Sequence, residues 1–544
     1  MPPARGPLPG HSVTDTHAVS NQPDPQGDTD LWATDPALRD YAAMAEADAD
    51  HLAGYGATLG TVAHREAGRA ARRSVPEAVL FDAGGRRLDE VRFHPAYHQL
   101  MTLGIGAGYA ALPWEGRPGG HATHAAMVYL TSQVEPGVCC PMTMTYAAVP
   151  ALKADPALLS DWVPKLTARV YDGTPRPLAR KAGATMGMAM TEKQGGSDIR
   201  ANTTRAVRDG ASYRLRGHKW FCSAPMSDGF LTLAQAPGGL TCFLVPRWSE
   251  DQRNAVHIQR LKTKLGNQAN ASAEIEYADA HAHRLGDEGD GVRTILEMVH
   301  HTRLDTALAP AGLMRAALTH AHHWTAHRSA FQKRLIDQPL MRSVLADLVL
   351  DWEGTLALGM YVARAFDARD EAARSFARLA VALAKYLGNK LCPGLVYEAM
   401  EALGGMGYVE DTDLPMLYRE APLNSIWEGS GNVICLDILR TLRKEPRAGE
   451  VLSEELGDAT GQSRRYDAAL RAHMARFPKL PEEGQARWYV ENLATLLTAS
   501  VLLRSAPAAV SEAYVSTRLY GERGRTAGAI SGVDLNAILG RLSG

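Results

Sequence analysis

The 544-residue sequence lacks several things that would point to particular classes of protein. It has six cysteines, Cys139, Cys140, Cys222, Cys242, Cys392 and Cys435, with no CxxC spacing among them. That excludes a disulfide framework or a cysteine-zinc site and predicts reduced, mostly buried thiols. No apolar run reaches the ~18 residues a membrane span needs; the longest candidate, LATLLTASVLL, is closed by Arg504. MPPARGPLPGHSVTDTHAVS contains no apolar core, so no secretory signal is expected and the location read from the sequence is cytoplasmic. Net charge is only −2, so the overall charge balance points to neither nucleic acid nor a membrane surface.

What is present is an ordinary globular composition, 45% hydrophobic and 22% charged, in a chain long enough for several domains. Residues 1–35, rich in Pro, Gly, Asp, Ser and Thr, read as an extended arm that orders against a partner surface. Residues 36–184 have a helical texture broken by WEGRPGG. Between 185 and 290 short alternating runs such as SYRLRGHKWF and NASAEIEYA, separated by Gly/Pro turns, predict antiparallel strands. Helical periodicity returns over 291–445, where Leu308, Ala311, Met314, Leu318 and Ala321 follow three-or-four spacing. A last segment, 446–544, places Val490, Leu493, Leu497 and Val501 on one helix face. This order is not the βαβ alternation of a dinucleotide-binding fold.

Two stretches mislead. GIGAGYAAL (104–112) places its third glycine one residue early for GxGxxG and follows a helical pattern, so it reads as helix packing or a turn. In HAHH, His320 and His323 share a helix face but no carboxylate or cysteine joins them at ligand spacing, so no metal is expected.

The chemistry is concentrated in MTEKQGGSDIRANTT (190–204), GHKWFCS (217–223) and NSIWEGSGN (424–432). A flavin needs backbone N–H donors for its pyrimidine edge, a hydroxyl near N5 and small residues beside its pyrophosphate. Thr191, Gly195, Gly196 and Ser197 can supply these, although QGGSD alone reads as a turn. Likewise Glu428 alone is a turn carboxylate. With Ile426 and Trp427 to desolvate it, and Gly429 and Gly431 to allow close backbone approach, it is also placed to be a base of raised pKa.

Four further segments follow in order: KLGNQANASAEIEY (264–277), TRLDTALAPAGLMRAAL (302–318), AHRSAF (326–331) and EALGGMGYVEDTDLPMLYRE (401–420). Together these segments resemble the acyl-CoA dehydrogenase family, with its TE-x-x-x-GSD loop, K-x-W-I-(S/T) strand, R-x-x-F segment, GG-x-GY run and YEG(T/S) turn. VSNQPDP, FDAGGRRLDEVRFHPAYH (81–98), CPMTMTYAA (140–148) and the C-terminal extension resemble its AidB-type branch, flavoproteins of the adaptive response to DNA alkylation. The resemblance implies a mainly α fold with a central β domain: a helical N-terminal domain, an antiparallel β-sandwich or barrel, a four-helix bundle and an extra C-terminal helical domain.

It also implies FAD, with contacts from Met190, Thr191, Gln194, Gly196, Ser197, Phe221, Ser223, Ile426, Trp427, Ser430 and Asn432. Arg328 would reach the FAD of a neighbouring subunit in a homotetramer, and Glu428 would take the Cα proton of an acyl-CoA. The sequence departs from the general family at Lys193-Gln194, at Phe221 in place of tryptophan, at Gln332 in place of glycine, and at Pro339 in place of a glutamine. AidB-type proteins bind double-stranded DNA through the C-terminal domain. Residues 440–544 carry 15 Lys/Arg against 12 Asp/Glu, with Arg440 and Arg523 as the candidate contacts. Ordinary solvated arginines are the equal alternative. Two functions stay open: a DNA-binding flavoprotein of the alkylation response, or a metabolic dehydrogenase converting a short or branched acyl-CoA to the trans-2-enoyl-CoA.

Overall fold

The computed structural model describes residues 19–543. The first half of the expected arm, residues 1–18, lies outside them. From residue 19 to 29 the chain runs without helix or strand, and the surface it meets is its own: Asp28 accepts the N–H of Val62 at 2.7 Å, and Asp24 O lies 2.9 Å from His323 Nε2.

Helices α1 (Pro36–Met44), α2 (Ala49–Leu59) and α3 (Val62–Arg73) start where Asp35, Asp48 and Thr61 accept an N–H three residues on. A hairpin, β1 (Glu77–Phe81) and β2 (Arg87–Arg92), leads to α4 (Pro95–Gly106). Then come α5 (Gly120–Ser132) and α6 (Cys139–Leu152), in which every residue is buried, and α7 (Pro156–Leu166). GIGAGYAAL is the end of α4 and the turn after it, with Gly108 at φ +90°.

The β domain holds β3 (Met186–Ala189), β4 (Arg205–Asp209), β5 (Ser212–Ser223), β6 (Gly229–Ala236) and β7 (Gly239–Pro246). It continues with the short β8 (Trp248–Ser249) and β9 (Gln252–Arg253), then β10 (Val256–Leu261) and the long β11 (Ser272–Leu285). Because β11 pairs with both β7 and β5, the strands β11–β7–β6–β3–β5 close into a ring. The expected antiparallel sheet is corrected at β6, which runs parallel to β3 and, at Gln235 and Arg205, to β4. Gly187 permits the insertion, since a Cβ there would stand 2.6 Å from Ser223 O and 2.8 Å from the Phe230 ring.

Helix α8 (Gly291–His327), the longest among the described residues, packs on α5 and α6 and is followed by a two-residue-strand hairpin, β12 (Ser329–Ala330) and β13 (Lys333–Arg334). Pro310 interrupts α8 by removing the donor for Thr306 O, and the Asn389 side chain donates to that carbonyl instead at 2.8 Å. Helices α9 (Pro339–Asp367) and α10 (Glu371–Ala402) pack on α8 and on each other. After α11 (Leu414–Glu420), α12 (Gly431–Lys444) lies against α10. The extension, α13 (Pro446–Gly457), α14 (Arg464–Arg476), α15 (Ala486–Ser505), α16 (Ala508–Tyr514) and α17 (Leu535–Leu539), is anchored by α15 on α9, α10 and α12. The predicted apolar face of α15, Val490, Leu493, Leu497 and Val501, is buried. All six cysteines are free and buried, and no group among the described residues could hold a metal. No described helix is long and apolar enough to cross a membrane.

Candidate active site

NSIWEGSGN forms a tight turn between a 3-10 turn ending at Ser425 and the start of α12. Glu428 adopts φ +55° and Gly429 φ +102°. The first is a left-handed conformation that costs a non-glycine residue about 1–2 kcal/mol; the second favours glycine. Buried cations hold the turn. Lys385 on α10 donates to Trp427 O at 2.9 Å and Gly429 O at 2.7 Å. Arg303 Nε on α8 lies 3.3 Å from Glu428 O. Arg303 is in turn fixed by Asp437, 2.7 Å away on α12. Burial pushes the Lys385 amine down to about 7, with Arg303 adding to the shift.

Thus held, the Glu428 carboxylate accepts the Thr302 hydroxyl at 2.7 Å and faces a cavity of about 40 Å³ between α5, α6 and α8. Apolar walls come from Val128, Cys139, Met144 and Ala309. Burial raises the Glu428 carboxyl above its usual range, the Asp305 carboxylate adds to the rise, and Thr302, Lys385 and Arg303 oppose it. A base whose pKa is raised is lost as pH falls through that higher value. With Glu428 as the proton acceptor of a reaction, the rate of that reaction should therefore decline on the acid side with an apparent pKa above the ordinary ~4.3 of glutamate. A pH-rate profile flat down to pH 4.5 would contradict this.

The desolvation differs in source from the sequence expectation. Trp427 lines the cavity and gives its indole N–H to Asn424 at 2.6 Å, whereas Ile426 is 64% exposed and shields nothing. Ser430 is the N-cap residue of α12, and Asn432 accepts from Arg487 of α15 at 2.7 Å, so the extension braces this segment.

The loop 190–198 and strand β5 form a second assembly. Trp220 N–H donates to Thr191 O at 2.8 Å, and Met188 pairs with Ser223. Glu192, at the root of the loop, accepts from Lys219 at 2.7 Å, from Thr203 N at 2.7 Å and from Thr204 N at 3.2 Å. Burial pushes the Glu192 carboxyl up, but Lys219 and these donors outweigh it and hold it at about 2. Gln194 is spent within the loop, its amide nitrogen 2.6 Å from Glu192 and 3.2 Å from Ala201 O. Beyond it, the N–H groups of Gly196 and Ser197 and the hydroxyls of Thr191 and Ser223 have no partner among the described residues. Phe221 stands 45% exposed on the same strand, and Met190 is half-buried. Free donors, free hydroxyls and a half-exposed aromatic ring, over which Lys262 Nζ lies 4.7 Å from the centroid, fit the polar edge and flat ring of a flavin.

Segment 264–272 joins the two assemblies. Ser272 is the register partner of Ser223. Lys264 donates to Asn270 O, and Asn270 Nδ2 donates to Asn267 at 3.0 Å. Asn267 donates to Glu420, another wall of the cavity.

Arg328 sits elsewhere. It donates to Asn21 O at 2.8 Å and roots the β12–β13 hairpin, whose tip Phe331 is 94% exposed. Gln332, where the family has glycine, takes φ +66°. Arg440 is exposed and pairs with Asp437 at 2.6 Å, while Arg523 is tied to Asp351 at 2.9 Å. Thr302, Arg303, Lys385 and Asp437 were not among the sequence candidates. Thr302 and Arg303 lie within a segment that had been singled out, but Lys385 and Asp437 occupy helical runs without a motif.

A closed β ring between helical domains, with a carboxylate turned into a largely apolar cavity, is the architecture of the acyl-CoA dehydrogenases, and the chain belongs to that family. Family models match in order: the adaptive response protein AidB N-terminal domain at residues 21–173, the acyl-CoA dehydrogenase middle domain at 187–280 and the acyl-CoA dehydrogenase C-terminal domain at 289–443. The AidB protein of Escherichia coli (strain K12) is 46% identical over 512 residues, 93% of this chain and 94% of that one. Acyl-CoA dehydrogenase family member 11 of Caenorhabditis elegans is 33% identical over 426 residues, 74% of this chain and 68% of that protein. A crystal structure of Caenorhabditis elegans ACDH-11 in complex with C11-CoA superposes with a TM-score of 0.84 at 27% identity, covering 96% of this chain and 95% of that one. Members of the family are FAD-dependent oxidoreductases acting on CH–CH groups.

Proposed function

We propose that this protein is a cytoplasmic flavoprotein in which Glu428 takes the Cα proton of a short acyl-CoA, and whose C-terminal domain binds double-stranded DNA in the response to alkylation damage. FAD, when bound, supplies the acceptor for the hydride that leaves Cβ. The observation that carries the first part is the strained Glu428 turn, whose carboxylate meets an apolar-walled cavity beside Thr302. Thr302 orients the carboxylate; Lys385 and Arg303 hold the backbone and limit the rise in its pKa; Trp427 and the α6 wall exclude water. Loop residues Thr191, Gly196 and Ser197, with Phe221 and Ser223, would hold the flavin. Arg328, on its protruding hairpin, would serve a flavin of a neighbouring subunit in a homotetramer.

The DNA reading draws on an exposed basic group at the end of α12, Arg440, Arg443 and Lys444, on one helix face where the bundle meets the C-terminal domain through α13 and α15. Likeness to the AidB N-terminal domain supports a place in the adaptive response. Arg440 shares Asp437 with Arg303 and Arg378, so three cations gather on one carboxylate and leave a positive excess beside the active-site turn.

The experiment is a panel of acyl-CoAs tested for flavin bleaching, beside a duplex-DNA gel shift at two salt concentrations. Bleaching without duplex retention favours a metabolic dehydrogenase; retention without bleaching leaves only the DNA-binding role. For roughly four phosphate contacts, retention should fall about 100-fold between 50 and 200 mM salt, and Arg440→Ala should lower the log-log slope by about 0.9. An unchanged slope in that variant removes Arg440 from the contacts.

A further inference from the structure

Asp305 has no part in the proton transfer above, yet it lines the same cavity as Glu428, one helical turn beyond Thr302 on α8. Its carboxylate is buried and surrounded by donors. Oδ1 lies 2.8 Å from His124 Nε2; Oδ2 accepts the Tyr109 hydroxyl at 3.2 Å and the Thr143 hydroxyl. The other nitrogen of His124, Nδ1, is 2.7 Å from the carbonyl of Tyr109. A carbonyl only accepts, so Nδ1 carries a proton, and one more proton is shared between Nε2 and Oδ1. The Asp305–His124 couple is therefore neutral as a whole. A carboxylate offers about four acceptor directions, and three donors leave one of them free.

We propose that this cavity selects a short acyl group whose distal end carries a neutral hydrogen-bond donor, a hydroxyl, which it gives to Asp305. The inference rests on reading the cavity as the acyl site. Size limits the chain: about 40 Å³ is room for roughly three water-sized groups. Polarity selects the end group. A plain alkyl terminus would press methyls against a carboxylate, displacing any water that solvates it and returning no hydrogen bond. Charge removes the other candidates. An anionic terminus would meet Glu420 and Glu428 around one small space. A cationic terminus would have to shed its water into a space whose remaining walls, Val128, Cys139, Met144 and Ala309, solvate no charge.

The test uses the FAD-loaded, full-length protein and two CoA thioethers that cannot be dehydrogenated as thioesters, S-butyl-CoA and S-(4-hydroxybutyl)-CoA, titrated by calorimetry. The hydroxylated ligand should bind about tenfold or more tightly, the effect of one hydrogen bond to a buried charged group. In the double variant Asp305→Leu/His124→Phe, which removes both partners together, that preference should vanish while S-butyl-CoA binds as well or better. Equal or weaker binding of the hydroxylated ligand by the unaltered protein overturns the inference, with no variant required to fold. A preference that survives the double variant also overturns it, by placing the donor's partner elsewhere. If neither thioether binds, the acyl-site reading itself fails and the inference falls with it, a result distinct from equal binding of both.

Discussion

Glu428→Gln should give a yellow, FAD-loaded protein whose flavin acyl-CoA no longer bleaches. The substitution keeps shape and volume, and an amide oxygen can still accept the Thr302 hydroxyl. The left-handed turn is also spared, because Lys385 and Arg303 grip the carbonyls of Trp427, Glu428 and Gly429, not the carboxylate. Only the proton acceptor is lost. General base catalysis is worth about 10²–10⁴ in rate, so reduction of the flavin by an acyl-CoA should slow by that factor at neutral pH. Stopped-flow absorbance measures it, and the flavin-to-protein absorbance ratio checks that cofactor content has not changed. Undiminished bleaching in the variant would sink the assignment of Glu428.

Why was this turn legible and its support not? An acid set between an indole and two glycines is a local pattern, and locality is what a sequence displays. Lys385 lies 42 positions before Trp427 in a continuous amphipathic helix, where a lysine is ordinarily a solvated charge. Nothing local says that α10 turns this one inward. The same limit explains Asp437, which reads as one acid on a surface helix and gathers Arg303, Arg378 and Arg440. Ile426 shows the converse error. An apolar neighbour in sequence was taken as a desolvating neighbour in space, but at the bend its side chain leaves for solvent. The long helices were the legible part of the fold, since Leu308, Ala311, Met314, Leu318 and Ala321 repeat at the helical period and are all buried. The parallel insertion of β3 was hidden because MGMA has no alternation to read, and its register depends on how closely Gly187 approaches Phe230.

Arg518→Met should cause the largest loss of stability expected of a single substitution here, about 3–5 kcal/mol, as breaking a buried ion pair leaves a charge without its partner. Arg518 sits in the π-helical turn Val515–Leu519 and reaches Asp347 at 2.6 Å and Asp351 at 2.9 Å on α9. Arg523 completes the group, 3.2 Å from Asp347 and 2.9 Å from Asp351, and Gly528 N–H donates to Asp347 at 2.9 Å. Two acids and two guanidinium groups thus latch the end of the extension to the bundle. Removing Arg518 leaves two buried carboxylates facing one partly exposed arginine. Chemical denaturation should show a lower midpoint, and Asp347→Leu in the same chain should recover part of the loss, since a missing pair costs less than a half pair. A midpoint equal to that of the unaltered protein would mean that the latch contributes nothing. The same measurement decides what Arg523 does. If Arg523→Ala lowers the midpoint, though by less because the side chain is partly exposed, and a folded sample retains duplex DNA with the same salt slope, Arg523 belongs to the latch. If the midpoint holds and the slope falls by about 0.9, Arg523 meets a phosphate, and its aspartates serve to aim it.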